Sequence, residues 1–199
     1  MKITADRLDA LTEVINIGVG QAAAMLNEMI EYPIRLQVPW IGIISRENLQ
    51  QELGKRLGEE KLAAVQLEFD NSLVGNAQLV FPKESAVTLV SVLTGEEPQS
   101  PDLDLFKIGT LTEVGNIVLN GVMGSISNML QKSMSYSVPT YIEDKFIYLL
   151  PVEEERSQTT VLLGETRFTV EELQLQGDII LFFNLGSFDI LLSCLDDLC

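Results

Sequence analysis

Two acid–amide pairs are the residues whose types and spacing most strongly suggest chemistry. Glu13 and Asn16 form the first pair, and Glu113 and Asn116 form the second, 100 residues later in both cases (113 − 13 and 116 − 16). Residues three apart share one face of a helix, so each pair is expected to place a carboxylate beside an amide. An amide carries both a donor and an acceptor, and it can therefore hold a water molecule in a chosen direction.

The residues around the first pair predict an amphipathic helix. The apolar positions Leu11, Ile15, Gly18, Ala22 and Met25 fall on one stripe, which is expected to face the core. The carboxylate and the amide are then predicted to point outward. A single pair of this kind would be ascribed to a solvated helix face. Its repetition favours a functional role, because a mid-helix Asn has poor helix propensity and no evident structural need.

Composition and charge restrict the classes of partner. The chain has 13 basic and 29 acidic residues and a formal net charge of −16. Nucleic acids and anionic membrane surfaces require clusters of Lys and Arg, so both are excluded as expected partners. The negative charge is compatible with a basic protein partner, and equally with a role in solubility alone.

Several kinds of catalytic site are also excluded. The chain contains no His, which rules out Ser-His-Asp, Cys-His and His-based zinc sites, and it has no P-loop motif. Cys194 and Cys199 are close together near the C-terminus and are not expected to form a structural disulfide. No secretory signal and no apolar run of membrane-spanning length is visible, so a cytoplasmic protein is predicted.

Both halves of the chain show the same succession of predicted elements: a long helix, an extended segment, two further strands and a shorter helix. The long helices are predicted over 4–31, with Thr4 as N-cap, and over 103–131; the strands over 34–44, 62–69, 75–81, 136–149, 159–168 and 178–185; and the shorter helices over 82–93, ended by Gly95, and 187–198, capped by Ser187. A polar connecting helix is predicted over 45–57, a linker over 96–101 and a charged loop at 153–155.

This order predicts an α+β fold. The expected architecture is a pseudo-twofold duplicated unit with paired three-stranded sheets, in which two long helices carry the sites. It is predicted as a single domain over 1–199, made of two repeats at about 1–97 and 103–199.

The motif Asp9-x-x-x-Glu13-x-x-Asn16, followed by Pro39, resembles the signature of the CheC/CheX/FliY family of chemotaxis phosphatases. The second copy repeats its acid, amide and Pro139. The resemblance implies the same fold and a phosphatase that stimulates dephosphorylation of the phospho-aspartate of a CheY-like response regulator. It implies that the Asn orients the attacking water and that the Glu anchors to a Lys of the receiver. It also implies no cofactor of the protein's own, with Mg²⁺ on the receiver.

The residues flanking the two pairs differ. Asp9 lies one turn before the first acid, where the second copy has Gly109; Asn120 lies one turn after the second amide, where the first copy has Gly20. Asp9 and Asn120 are predicted to bind the partner. Both sites are expected to act, with the first slightly favoured for partner contact because Gly109 offers no side chain.

Two other functions stay open from the sequence. The chain could be a non-catalytic binding module of the chemotaxis or flagellar switch, or an adaptor that binds the receptor deamidase CheD. The acid–amide pair distinguishes the phosphatase from the binding module, because a scaffold does not require it.

Overall fold

The computed structural model describes the chain except for residues 1–3, 29–32, 46–47, 49–50, 53–60, 96–103, 132, 146–148, 150–159, 171–172, 185 and 197–199. The described elements, in chain order, are α1 (Ala5–Asn27), β1 (Ile34–Ser45), β2 (Lys61–Asn71), β3 (Gly75–Pro82), α2 (Lys83–Thr94), α3 (Leu105–Leu130), β4 (Met134–Tyr136), β5 (Thr140–Lys145), β6 (Thr160–Val170), β7 (Leu173–Phe183) and α4 (Ser187–Asp196).

The described strands form one seven-stranded antiparallel sheet in the order β1-β6-β7-β3-β2, and β4 and β5 follow one another along the outer edge of β2. The prediction of a mixed helix-and-sheet fold is confirmed. The two hairpins, β2–β3 and β6–β7, meet through the β3–β7 pairing. The outer strand of each half pairs with the hairpin of the other half, so the three-stranded sheet predicted within each half is not formed by the described strands.

The first outer strand, β1, buries one face against the core. Ile34, Leu36 and Val38 are buried, while Arg35 and Gln37 between them are exposed, as the alternation in the sequence predicted. The corresponding segment predicted over 136–149 is divided into β4 and β5, with residues 137–139 between them outside either strand.

The long helices α1 and α3 pack against each other over the sheet. They cross where a methyl group added to Gly18 would overlap the carbonyl oxygen of Gly121, so close approach requires glycine there. Gly18 lies against Gly121, whereas the later residue Leu26 lines the same cleft as the earlier residue Val114, so the two helices run in opposite directions. Met25, predicted to be in the core, is 53% exposed, and its neighbour Leu26 is buried instead.

Most helix ends agree with the sequence. Thr4 caps α1 by accepting the Arg7 N–H, and Gly95 ends α2 with a φ of 69°. Asp104 caps α3 by accepting the Lys107 N–H. The prediction that Ser187 caps the last helix is wrong: its hydroxyl accepts the Val74 N–H and ties α4 to the β2–β3 turn.

Some predictions fall on undescribed residues. Most of the connecting helix over 45–57, the linker over 96–101, the charged loop at 153–155 and Cys199 lie outside the described part of the chain. Cys194 is described and carries a free thiol.

Candidate functional site

The first acid–amide pair lies on α1, and its two members face different surroundings. Glu13 is exposed, but Asn16 is only partly so because its side chain faces β1. Its Nδ2 donates to the Val38 carbonyl oxygen at 3.2 Å, and its Oδ1 accepts the Val38 N–H at 3.0 Å. Nδ2 also donates to the Thr12 carbonyl oxygen at 3.1 Å. The amide predicted to point outward is therefore bonded to the protein's own backbone at both ends.

A β-bulge in β1 explains this arrangement. The pairing of β1 with β6 is regular up to Gln37 and resumes at Trp40, one residue out of register. Val38 and Pro39 lie between these positions and have no partner in the ladder. Pro39 has no N–H to donate, while Val38 would be left with two unpaired backbone groups. The Asn16 amide supplies the partners that β6 does not.

A second amide fastens the other end of α1 to the same strand. Asn27 Nδ2 donates to the Ile34 carbonyl oxygen at 3.0 Å, and the Ile34 N–H donates to Asn27 Oδ1 at 2.5 Å. Asn16 and Asn27 thus link α1 to β1 at two places through hydrogen bonds from side chain to backbone. Sequence reasoning did not identify the structural use of either amide.

The second pair lies on α3 and has a different hydrogen-bond pattern. Glu113 is exposed, and Asn116 accepts a hydrogen bond at Oδ1 from Asn120 Nδ2 at 2.6 Å. Among the described residues, Asn116 Nδ2 has no hydrogen-bond partner. The second amide is therefore held on its acceptor side and available on its donor side.

In the second half, the segment that corresponds to the bulge of β1 is held by β2 and not by the amide of the second pair. Val138 is 83% exposed, whereas its counterpart Val38 is 1% exposed. Ser137 attaches this part of the chain to β2: its N–H donates to the Glu68 carbonyl oxygen at 3.0 Å, and its hydroxyl accepts the Glu68 N–H at 2.9 Å. In the second copy, the chain next to the strand break is therefore hydrogen-bonded to β2, and Asn116 takes no part in holding it.

The flanking residues complete the two surfaces. Asp9 is exposed on α1 as predicted, and no described atom lies within 4 Å of where a side chain at position 109 would begin.

Glu113 borders a cleft of about 480 Å³. At its mouth, Leu105 is 88% and Phe106 61% exposed. The sequence signal for this apolar rim was two large apolar residues at the start of a helix, directly after a polar linker.

Two tyrosines distinguish the second outer strand from the first. Tyr136 and Tyr141 occupy the positions of Leu36 and Ile41 in the other half. Partial burial raises the pKa of both hydroxyls, although a hydrogen bond from Ser127 partly offsets this at Tyr136. The Tyr141 hydroxyl also donates to Glu143 at 3.0 Å, and the nearby carboxylate raises its pKa further.

Neither pair lies in a recognisable metal site. Within the described residues, no group of three or more Asp, Glu or Cys side chains could hold a metal ion. In the same part of the chain, every helix is too short or too polar to cross a bilayer.

Comparison with known proteins finds a sequence relative named as a chemotaxis phosphatase. No protein-family model matches the chain. The CheY-P phosphatase CheC of Bacillus subtilis (strain 168) is 25% identical over 151 residues, covering 72% of this chain and 69% of that protein.

Solved structures share the fold. The FliY structure from Thermotoga maritima superposes with a TM-score of 0.79 at 19% identity, over 99% of both chains. The FliM middle domain from H. pylori gives a TM-score of 0.68 at 11% identity, over 96% of this chain and 99% of that one. A CheX–CheY–BeF3–Mg complex from Borrelia burgdorferi gives 0.50 at 18%, over 86% and 98%. These structures show that the chain shares its fold with FliY, the FliM middle domain and CheX, and in sequence it is similar to a CheY-P phosphatase CheC.

Proposed function

We propose that this protein stimulates hydrolysis of the phosphoryl group on the aspartate of a CheY-like response regulator. In this reaction a water attacks phosphorus, the bond between phosphorus and the aspartyl oxygen breaks, and inorganic phosphate leaves a free carboxylate. Support comes from a sequence relative named as a CheY-P phosphatase and from the fold shared with a CheX described in complex with CheY.

The Asn supplies orientation in this mechanism. An amide oxygen has two lone pairs, and Asn116 Oδ1 uses one of them for Asn120. The second lone pair can accept a hydrogen from the attacking water and turn its oxygen toward phosphorus. The free Nδ2–H group can donate to an oxygen of the phosphoryl group. Phosphoryl transfer depends mainly on positioning and charge stabilisation, so an oriented amide is a suitable catalyst.

The Glu anchors the complex. Glu13 and Glu113 are exposed on their helices, and each can reach a Lys of the receiver without first breaking a contact. A carboxylate three residues before the amide fixes the helix against the receiver, so that the amide enters the site at one depth. Asp9, exposed one turn before Glu13, is proposed to extend this contact on α1.

The protein's share of the chemistry is geometric. It provides no cofactor of its own in this proposal, and Mg²⁺ belongs to the receiver, where it neutralises charge on the phosphoryl oxygens. We also propose that the two pairs descend from one duplicated unit.

The observation that carries the proposal is the Asn116 amide, fixed on one side and unpaired on the other, beside an exposed carboxylate. The test is phosphate release from a purified phosphorylated receiver of the CheY type, with and without this protein. Wild-type protein should accelerate release, and the double variant Asn16→Ala with Asn116→Ala should not. Unchanged acceleration by a folded double variant would contradict the roles given to the amides.

A second candidate is a binding module without catalysis. It is favoured by the similarity to the FliM middle domain, with a TM-score of 0.68. In that case the protein would bind the receiver and leave the rate of phosphate release unchanged. A CheD-type deamidase is a further candidate partner, to be tested by co-purification with the full chain.

A further inference from the structure

We infer that Asn120 is a positioning residue for Asn116 and that the second acid–amide pair carries the reaction, while the amide of the first pair is structural. This inference rests on the proposed function and refines the expectation, drawn from sequence, that Asn120 binds the partner and that the first site is slightly favoured.

The geometry on α3 places the two amides in direct contact. Asn120 lies one turn after Asn116, and its Nδ2 donates to Asn116 Oδ1 at 2.6 Å. Both side chains are partly buried. The intervening residues Ile117, Val118 and Leu119 are buried in the core, which fixes this stretch of helix against the sheet.

This contact decides which end of the Asn116 amide faces a partner. The terminal torsion of a free Asn is broad and roughly twofold, so its oxygen and nitrogen can exchange places. A donor at Asn120 holds the oxygen on its own side and leaves the Nδ2–H group pointing away. Without that donor, Asn116 would turn its Nδ2–H group toward the partner only part of the time. The rate of phosphate release would then fall even when the receiver is bound.

The first copy has neither a donor one turn after its amide nor an amide that is free to face a partner. Gly20 stands at the position of Asn120 and has no side chain, and the space around it is open. Asn16 is bonded instead to the Val38 backbone through both its oxygen and its nitrogen. To act on a receiver, Asn16 would have to leave two unpaired backbone groups in β1, which is unfavourable.

The test separates catalysis from binding by titrating the full-length protein against a fixed amount of phosphorylated receiver. Asn120→Ala should lower the maximal rate of phosphate release by about five- to tenfold, since one orienting hydrogen bond is lost. The concentration of protein that gives half the maximal rate should not change. A raised half-saturating concentration with an unchanged maximal rate would show that Asn120 only contacts the partner, and would overturn the inference.

Two further variants sharpen the result. Asn120→Gln keeps the amide donor and should retain about half or more of the maximal rate, because the donor can still reach one turn back. Asn128→Ala removes an exposed Asn from the same helix, away from the pair, and should leave both parameters at their wild-type values. Equal rates for Asn120→Ala and Asn120→Gln would contradict a role for the donor.

The wild-type protein separates this inference from the proposed function. If wild-type protein does not accelerate phosphate release, the proposed function is wrong and the inference falls with it. If wild-type protein accelerates release and Asn120→Ala does so equally well, the inference alone is wrong.

Discussion

The two copies of the motif have the same acid and the same amide, yet their amides make different contacts. In the first copy, Asn16 bonds the backbone of Val38 and completes a bulged strand. In the second copy, Asn116 bonds a neighbouring side chain, Asn120, on its own helix. Identical residues at identical spacing therefore do not make identical sites.

The difference originates in the outer strands and not in the helices. Both strands are interrupted at a Val-Pro pair, but β1 folds its valine inward and the second strand turns Val138 outward. An inward valine brings its unpaired backbone groups to Asn16. An outward valine leaves Asn116 with nothing to repair. The surroundings of a motif thus decide whether its amide is hydrogen-bonded to the protein's own backbone or left available for a partner.

The largest effect on folding is expected for the first amide. Asn16→Ala removes both hydrogen bonds to Val38 and should lower the free energy of unfolding by about 2–3 kcal/mol, because two backbone groups lose their partners. Asn116→Ala should change it by less than about 0.5 kcal/mol. Urea unfolding of both variants checks the comparison, and equal losses would show that the two amides are structurally equivalent.

A somewhat smaller effect is expected for the residue before the second amide. The first copy has a buried Ile15, whereas a methyl group on Gly115 would lie 2.5 Å from Val65 Cβ. Gly115→Ala should therefore destabilise the fold by about 1–3 kcal/mol through overpacking. The matched control is Gly124→Ala on the same helix, where space is open and Ala should stabilise by up to about 1 kcal/mol. A thermal melt in which both variants shift alike would contradict the packing of α3 on β2.

The two acids offer a test through binding. Glu113→Lys should raise the half-saturating concentration for receiver dephosphorylation by about tenfold, since the lost ion pair and the new repulsion together cost about 1.4 kcal/mol. Glu13→Lys introduces the same charge change on α1 and should have a much smaller effect. A receiver titration in which the two variants behave identically would indicate that both copies bind the receiver equally.

The smallest effect concerns pH and the two outer strands. An unfolded Tyr has a pKa of about 10, and the pKa of Tyr141 is raised by burial and by Glu143, so the folded state keeps this proton longer. Its contribution to stability is complete below about pH 10 and is lost as the pH rises above that value toward the folded pKa. Tyr141→Ile copies Ile41 of the first strand and should lose less stability than wild type between about pH 8 and pH 11. Urea unfolding at the two pH values measures the difference; a loss as large as wild type would exclude Tyr141 as its source.

Much of this architecture could be predicted from the sequence because it depends on local signals. Thr4 and Gly95 mark helix ends through their own side chain or backbone conformation, and the alternation at Ile34, Leu36 and Val38 assigns a buried face. The positions of Glu113 and Glu13 on exposed helix faces followed from helical spacing.

The remaining features depend on tertiary contacts. The pairing of β1 with β6 could not be predicted, because alternation specifies a strand's face and not its neighbour. The use of Asn16 depends on a bulge 22 residues away in sequence. The contrast between Gly20 and Asn120 was visible, but its meaning required the hydrogen bond between Asn120 and Asn116.

The most direct test of the account compares Asn16→Ala with Asn116→Ala at saturating protein on a phosphorylated CheY-type receiver, under conditions where both variants are folded. The account predicts that Asn116→Ala loses at least about tenfold in the rate of phosphate release, whereas Asn16→Ala stays within about twofold of wild type. An equal loss in both, or a greater loss in Asn16→Ala, would contradict the assignment of the reaction to the second copy.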